Sequence, residues 1–239
     1  MKQVLSSEML KYRFSVIPLA LILFSGVFIS LLFLMVAYFD SGGKESIKSW
    51  FAAFEVFSLT MPSLLTITAT FFIIVFASFE QQGKKWENLS VFPHPKWSFY
   101  VSKWLLMGMT MLLIGFLFFI ITIGFTAIWS VPISEQLLFA FTLYPFVLVL
   151  PFISFLFILS TLIVNQAWAL MAGITSVLLG PIFKGWGWWL PWGYLTTEMP
   201  YVSEEVLMNA PSVSSLTASL LFCFLLMLLG IFLMNVKES

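Results

Sequence analysis

QLLFAFTLYPFVLVLPFISFLFILSTLIVNQAWALMAGITSVLLGPIF, residues 136–183, is a run of 48 residues without a single charge. As one helix, at roughly 1.5 Å per residue, it would be about 70 Å long. A bilayer's hydrocarbon core is about 30 Å thick and takes about 20 residues. The run must therefore turn back once. Asn165-Gln166 is its only adjacent amide pair and marks the turn, which gives spans at about 137–164 and 167–184.

Four further charge-free runs lie outside it: 14–39, 56–79, 104–134 and 206–236. Each is long enough for one crossing, so spans are expected at about 16–39, 56–79, 103–129 and 214–235. The runs are continuously apolar rather than alternating, and too long for barrel strands, so the crossings are helices. The fold class is an all-α polytopic membrane protein. Six transmembrane helices make a single transmembrane domain over 1–239.

Composition agrees with this reading. Of the 239 residues 61% are apolar and 9% charged, where a soluble domain carries roughly a quarter charged. Too little polar surface remains to cover one water-soluble core. That excludes a soluble enzyme, a nucleic-acid-binding domain and a disordered chain. Eleven basic residues balance eleven acidic ones, so no steering of a charged partner is implied. Cys223 is the sole cysteine, which excludes an internal disulfide and a cysteine-based metal site.

Six spans put both termini on one side. That side collects Lys2, Lys11, Arg13, Lys84, Lys85, Lys96, Lys103 and Lys237, and the other only Lys44, Lys48 and Lys184. The positive-inside rule places both termini in the cytoplasm. Residues 1–15 put Leu5, Met9, Tyr12 and Val16 on one helical face, as an interfacial helix on the inner leaflet would. The apolar stretch after them is too long for a signal-peptide core and is read as a retained first span.

The segment 80–102 is the most polar cytoplasmic part. Trp86 and Leu89 lie three apart among Lys84, Lys85 and Glu87, as in a short charged helix that Pro93 and Pro95 then end. An exposed Trp among charges suits docking of a cytoplasmic partner, or serves only as a loop at the headgroups. Segment 185–213 faces outside and holds Trp186, Trp188, Trp189, Trp192 and Tyr194 among Gly and Pro. It is expected to anchor at the headgroups, or to dip into the outer leaflet and touch an amphiphilic substrate. In the fifth span Ala169, Gly173, Ser176 and Gly180 are small residues at helical spacing, suited to packing within one subunit or to a dimer seam. Pro145 and Pro151 should kink the fourth span.

No ionisable residue lies mid-span, which argues against a proton- or sodium-coupled carrier. Glu55, Glu80, Lys103 and Lys184 sit at span ends, where they are expected to reach water. Gly42-Gly43-Lys44 lacks Walker A spacing, and neither G-x-S-x-G nor H-E-x-x-H occurs. The only histidine, His94, stands between two prolines and reads as a polar loop residue. Neither hydrolysis nor ATP binding is encoded here, so the energy for any pumping comes from another chain.

The topology, together with Glu80, Gly83, Trp86, Leu89 and Pro93 and a Lys at 103 opening the third span, resembles an ABC-2 type transporter permease. Pro191-Trp192 before the last span is similar to the lantibiotic-immunity branch of that superfamily. Lys84-Lys85 depart from the small residue and Thr that many members carry there. The resemblance implies a half-transporter of the bacterial cytoplasmic membrane. Two permeases, here two different homologous chains, pair with two copies of a cytosolic ABC ATPase that dock on the loop from Glu80. ATP and Mg belong to that ATPase, and this chain needs no cofactor. In the lantibiotic branch the cargo is an amphiphilic peptide expelled from the membrane, which gives the producer immunity. Other cargoes, such as bacitracin-like antibiotics or lipids, and a non-transporting membrane scaffold remain as alternatives.

Overall fold

The computed structural model describes residues 47–81, 96–128, 135–163, 165–180, 182, 190–198, 201–203, 206–208 and 212–236. In chain order these form α1 (Ile47–Gln81), α2 (Lys96–Ile128), α3 (Glu135–Thr142), α4 (Tyr144–Leu148), α5 (Leu150–Leu162), α6 (Ala167–Leu179), α7 (Gly193–Thr197), β1 (Tyr201–Ser203), β2 (Val206–Met208) and α8 (Val213–Val236). The interfacial helix 1–15 and the first span 16–39 fall outside the described residues. Among the described residues four stretches are long and apolar enough to cross a membrane: Thr60–Ala77, Trp97–Gly124, Leu138–Leu162 and Val213–Val236.

Three differences from the sequence reading stand out. The third span starts at Trp97, within a helix that begins at Lys96, not at 103. The fifth is only the 13-residue α6, about 20 Å long and too short to cross alone. Segment 185–213 contains an antiparallel hairpin, with Tyr201 opposite Met208 and Ser203 opposite Val206. Charge-free length could show none of these. It does not register a helical turn beyond a lysine, an early helix stop at Gly180, or a three-residue strand.

Hydroxyls within the apolar helices are satisfied locally. Thr66 donates to the Pro62 carbonyl at 2.7 Å, Thr70 to Thr66 at 2.7 Å, Ser102 to Ser98 at 2.7 Å and Thr110 to Leu106 at 2.7 Å. Bonding back to the carbonyl four residues earlier lets a hydroxyl sit in an apolar medium without an orphan.

The two prolines expected to kink the fourth span divide it. The helix is interrupted at Leu143 and Val149, and Pro145 and Pro151 open the first turns of α4 and α5. A proline there sacrifices no intrahelical donor of its own helix. Both interruptions keep right-handed backbone angles, and Val149 N–H still bonds the Pro145 carbonyl at 3.1 Å, so the three pieces form one crossing. Further on, α5 ends at an extended Ile163 and α6 begins at Ala167, whose N–H bonds the Asn165 side chain at 3.0 Å.

Of the four spans, Leu138–Leu162 is the most enclosed, with 72% of it buried against 22% for Val213–Val236. This puts α4–α5 at the centre and α8 at the edge. The contacts come in layers. Tyr100 stacks on Phe157 with ring centroids 4.9 Å apart, Trp104 meets Ser154, and Phe118 meets Phe146 at 6.4 Å. As α2 advances its partners on α5 and α4 recede, so the helices are antiparallel. On α8, Ser219 meets Val147 and Cys223 meets Ser154, so α8 runs parallel to the fourth span. The residues α8 buries are Ser219, Cys223, Gly230 and Met234, mostly small, which allows a close approach.

Candidate functional site

The ends of the loop expected to receive a partner lie on two long helices. Glu80 lies in the last turn of α1, and α2 starts at Lys96. Thirty-five residues make α1 about 52 Å long, well beyond the hydrocarbon thickness. Gly83, Lys84, Lys85, Trp86, Glu87, Leu89 and Pro93 lie outside the described residues. Lys103 requires a correction. It stands two turns inside α2 and is 2% exposed, so it is not a water-facing residue at the mouth of the loop. Ser98, Tyr100 and Ser102 are buried beside it in sequence, which makes the base of α2 a polar stretch enclosed by protein.

One layer deeper lies a hydrogen-bonded knot that the sequence reading missed. Trp104 Nε1 donates to Ser154 Oγ at 2.8 Å, and Ser154 Oγ lies 3.1 Å from Cys223 Sγ and 3.0 Å from the Leu150 carbonyl. The serine has one proton to give. Given to Leu150, it leaves the oxygen to accept from both the indole and the thiol. The knot ties α2, α5 and α8 together about two turns inside α2. Beside it opens a largely apolar groove of about 120 Å³, lined by Trp104, Gly108, Met109, Leu112, Ile153 and Cys223.

The segment expected to meet an amphiphile at the outer surface reaches inward. The Trp192 ring lies 6.2 Å from Phe155, which is well inside α5, and the Trp192 indole N–H is buried without a hydrogen-bond partner among the described residues. Tyr194 is buried, with its ring 5.7 Å from Phe222 of α8. Burial pushes its phenol pKa up, and nearby Glu198 adds to the rise. From there the chain climbs one helical turn to Glu198, whose carboxylate accepts from Ser215 at 2.5 Å near the start of α8. Trp186, Trp188 and Trp189 lie outside the described residues.

The small residues of α6 also face inward. Ala169, Gly173, Ser176 and Gly180 are all buried within the chain. A Cβ at Gly173 would overlap the Thr70 side chain of α1, and one at Gly180 would lie 2.9 Å from Thr196. Their smallness serves close approach inside one subunit, where the sequence alone left a seam between subunits open.

With this geometry in place, comparison with known proteins adds one match. A family model described as ABC-2 family transporter protein matches residues 4–183. No curated protein matches the chain, and no solved structure does.

Proposed function

The chain belongs to the ABC-2 family of transporter proteins, and from that premise we propose that it is the permease half of an ATP-driven exporter that clears an amphiphilic antimicrobial peptide of the lantibiotic type from the membrane. Membership makes it a multi-pass protein of the bacterial plasma membrane that works with an ABC ATPase subunit. The proposal adds six spans with both termini cytoplasmic, a second homologous permease, two ATPase copies and a peptide cargo.

The observation that carries the coupling role is the placement of the loop. Its ends are α1, a single long helix, and α2, whose base is buried against the bundle. A push on such a loop moves whole helices, because packed elements shift as units rather than deform. ATP binding closes the ATPase pair, the loop follows, and α1 and α2 are carried with it. Glu80 pins the base of α1, and Trp86 anchors in the ATPase surface. Trp192 and Tyr194 support the choice of an amphiphile as cargo, since their rings pack on Phe155 and Phe222 inside the bundle.

A pull-down tests the reading. The tagged chain is expressed with the ATPase encoded beside it, as wild type and as Trp86→Ala and Glu80→Ala. Retention of the ATPase by wild type and its reduction in the variants is the expected result, with lantibiotic resistance falling in parallel. Normal resistance in Trp86→Ala would sink the docking role. No retained ATPase in mild detergent with nucleotide would favour a scaffold instead.

A further inference from the structure

Tyr100 is 0% exposed, and its hydroxyl has no hydrogen-bond partner among the described residues. The ring is stacked on Phe157 of α5, and the hydroxyl is lodged against Gly230 of α8, where a Cβ would overlap it. A phenylalanine would fill the same space without a buried orphan, which is costly in an apolar medium. The hydroxyl therefore contributes nothing to this arrangement. The glycine across from it is the only residue type that admits it. Tyr100 lies one turn from the start of α2, and Gly230 lies in the last two turns of α8.

We propose that Tyr100 is a positioning residue of the transport cycle, a latch between α2 and α8 that is closed in this structure and whose hydroxyl finds its hydrogen bonds only when the loop draws α2 away from Gly230. The inference rests on the reading that the loop moves helices. In the closed arrangement the ring wedges α2 to α5 and the hydroxyl seats in the notch of α8. In the open one the notch admits water from the loop side, and that water receives the phenol's proton in a hydrogen bond. An orphan in one state and a bonded group in the other biases the pair toward opening, so that a modest push from the loop suffices. Cys223 lies two turns from Gly230 along the same helix, is tied through Ser154 to Trp104 one turn after Tyr100, and is 3% exposed. As the sole cysteine, it reports on water entering that interface.

The test measures the rate at which a membrane-permeant maleimide labels Cys223 in vesicles carrying the full chain with its ATPase, with and without ATP. Wild type should label faster with ATP. Tyr100→Phe should retain the ATPase and melt no lower than wild type, yet lose the ATP-dependent rise by about tenfold, the scale of one buried hydrogen bond. Gly230→Ala should label rapidly without ATP or ATPase, because its methyl group holds the latch open. Tyr100→Phe labelling and exporting like wild type would overturn the latch, as would slow ATP-independent labelling in a folded Gly230→Ala. A wild type that retains no ATPase counts against the coupling reading instead, and the Gly230→Ala arm still decides the latch.

Discussion

Ser219 Oγ of α8 donates to the Val147 carbonyl at 3.3 Å, and Val147 is the residue four before Pro151. A proline has no N–H, so Pro151 cannot supply the helical bond that Val147 would otherwise receive. The side chain of a neighbouring helix fills the gap. The break in the fourth span and the docking of α8 are thus one device. Ser219→Ala should cost about 1 kcal/mol, the scale of a buried hydrogen bond between membrane helices. In a Pro151→Ala background, where the restored N–H serves Val147, the same substitution should cost close to nothing. Thermal melting of the four proteins in detergent reads the coupling. Equal costs in both backgrounds would show that the serine acts by packing alone.

Ser154 is the common partner of the Trp104 indole and the Cys223 thiol. Ser154→Ala strands an N–H and a thiol in an apolar interior, and should cost about 1–3 kcal/mol. Cys223→Ala removes only a weak donor and should cost less. Trp104→Phe in the Ser154→Ala background should recover part of the loss, because the stranded N–H is gone. A melting series tests the order, and Cys223→Ala proving the most harmful would contradict it.

Legibility in the sequence followed what the bilayer itself distinguishes. Depth could be read: charge-free runs located the four spans, and Asn165-Gln166 lies between α5 and α6. Direction around a helix could not. Lipid tails and a protein interior are equally apolar, so hydropathy does not say which face of α6 looks inward. The small-residue stripe accordingly left a seam open where the structure buries it. Trp192 and Tyr194 read as headgroup anchors for the same reason, although their rings pack on Phe155 and Phe222. Lys103 marked a span boundary by its charge, yet the helix runs on past it and protein encloses it. The Tyr100–Gly230 contact lies 130 residues apart in the chain, and no local pattern announces it.

The inward stripe of α6 makes a prediction about assembly. Gly173→Ala places a methyl group into the Thr70 side chain and should destabilise the single subunit by about 1–3 kcal/mol through overpacking. Pairing of subunits should be unaffected at temperatures where the chain stays folded. Melting and cross-linking of differently tagged permeases separate the two effects. Loss of pairing with unchanged melting would restore the seam between subunits.

At the other end of α8, Ser212 caps the helix by accepting from the Ser215 N–H at 3.1 Å, while Ser215 Oγ donates to Glu198. The carboxylate thus stands at a helix N-terminus, where the macrodipole favours negative charge by about 0.3–1 kcal/mol at partly exposed positions. Glu198→Gln keeps an acceptor for Ser215 and loses only that charge, so its cost should stay within this range. Glu198→Ala loses both and should cost about 1 kcal/mol more. Ser212→Ala removes the cap and should cost about 1 kcal/mol by itself. Each loss is local, so amide exchange over 213–217 should quicken while exchange over α5 stays slow. Since α7 hangs from Glu198 and carries Tyr194 into the bundle, a loosened junction should also raise the quantum-yield response of nearby tryptophans to an aqueous quencher. Unchanged exchange at 213–217 in Glu198→Ala would mean that the aromatic rings of α7, not this carboxylate, hold the segment to α8.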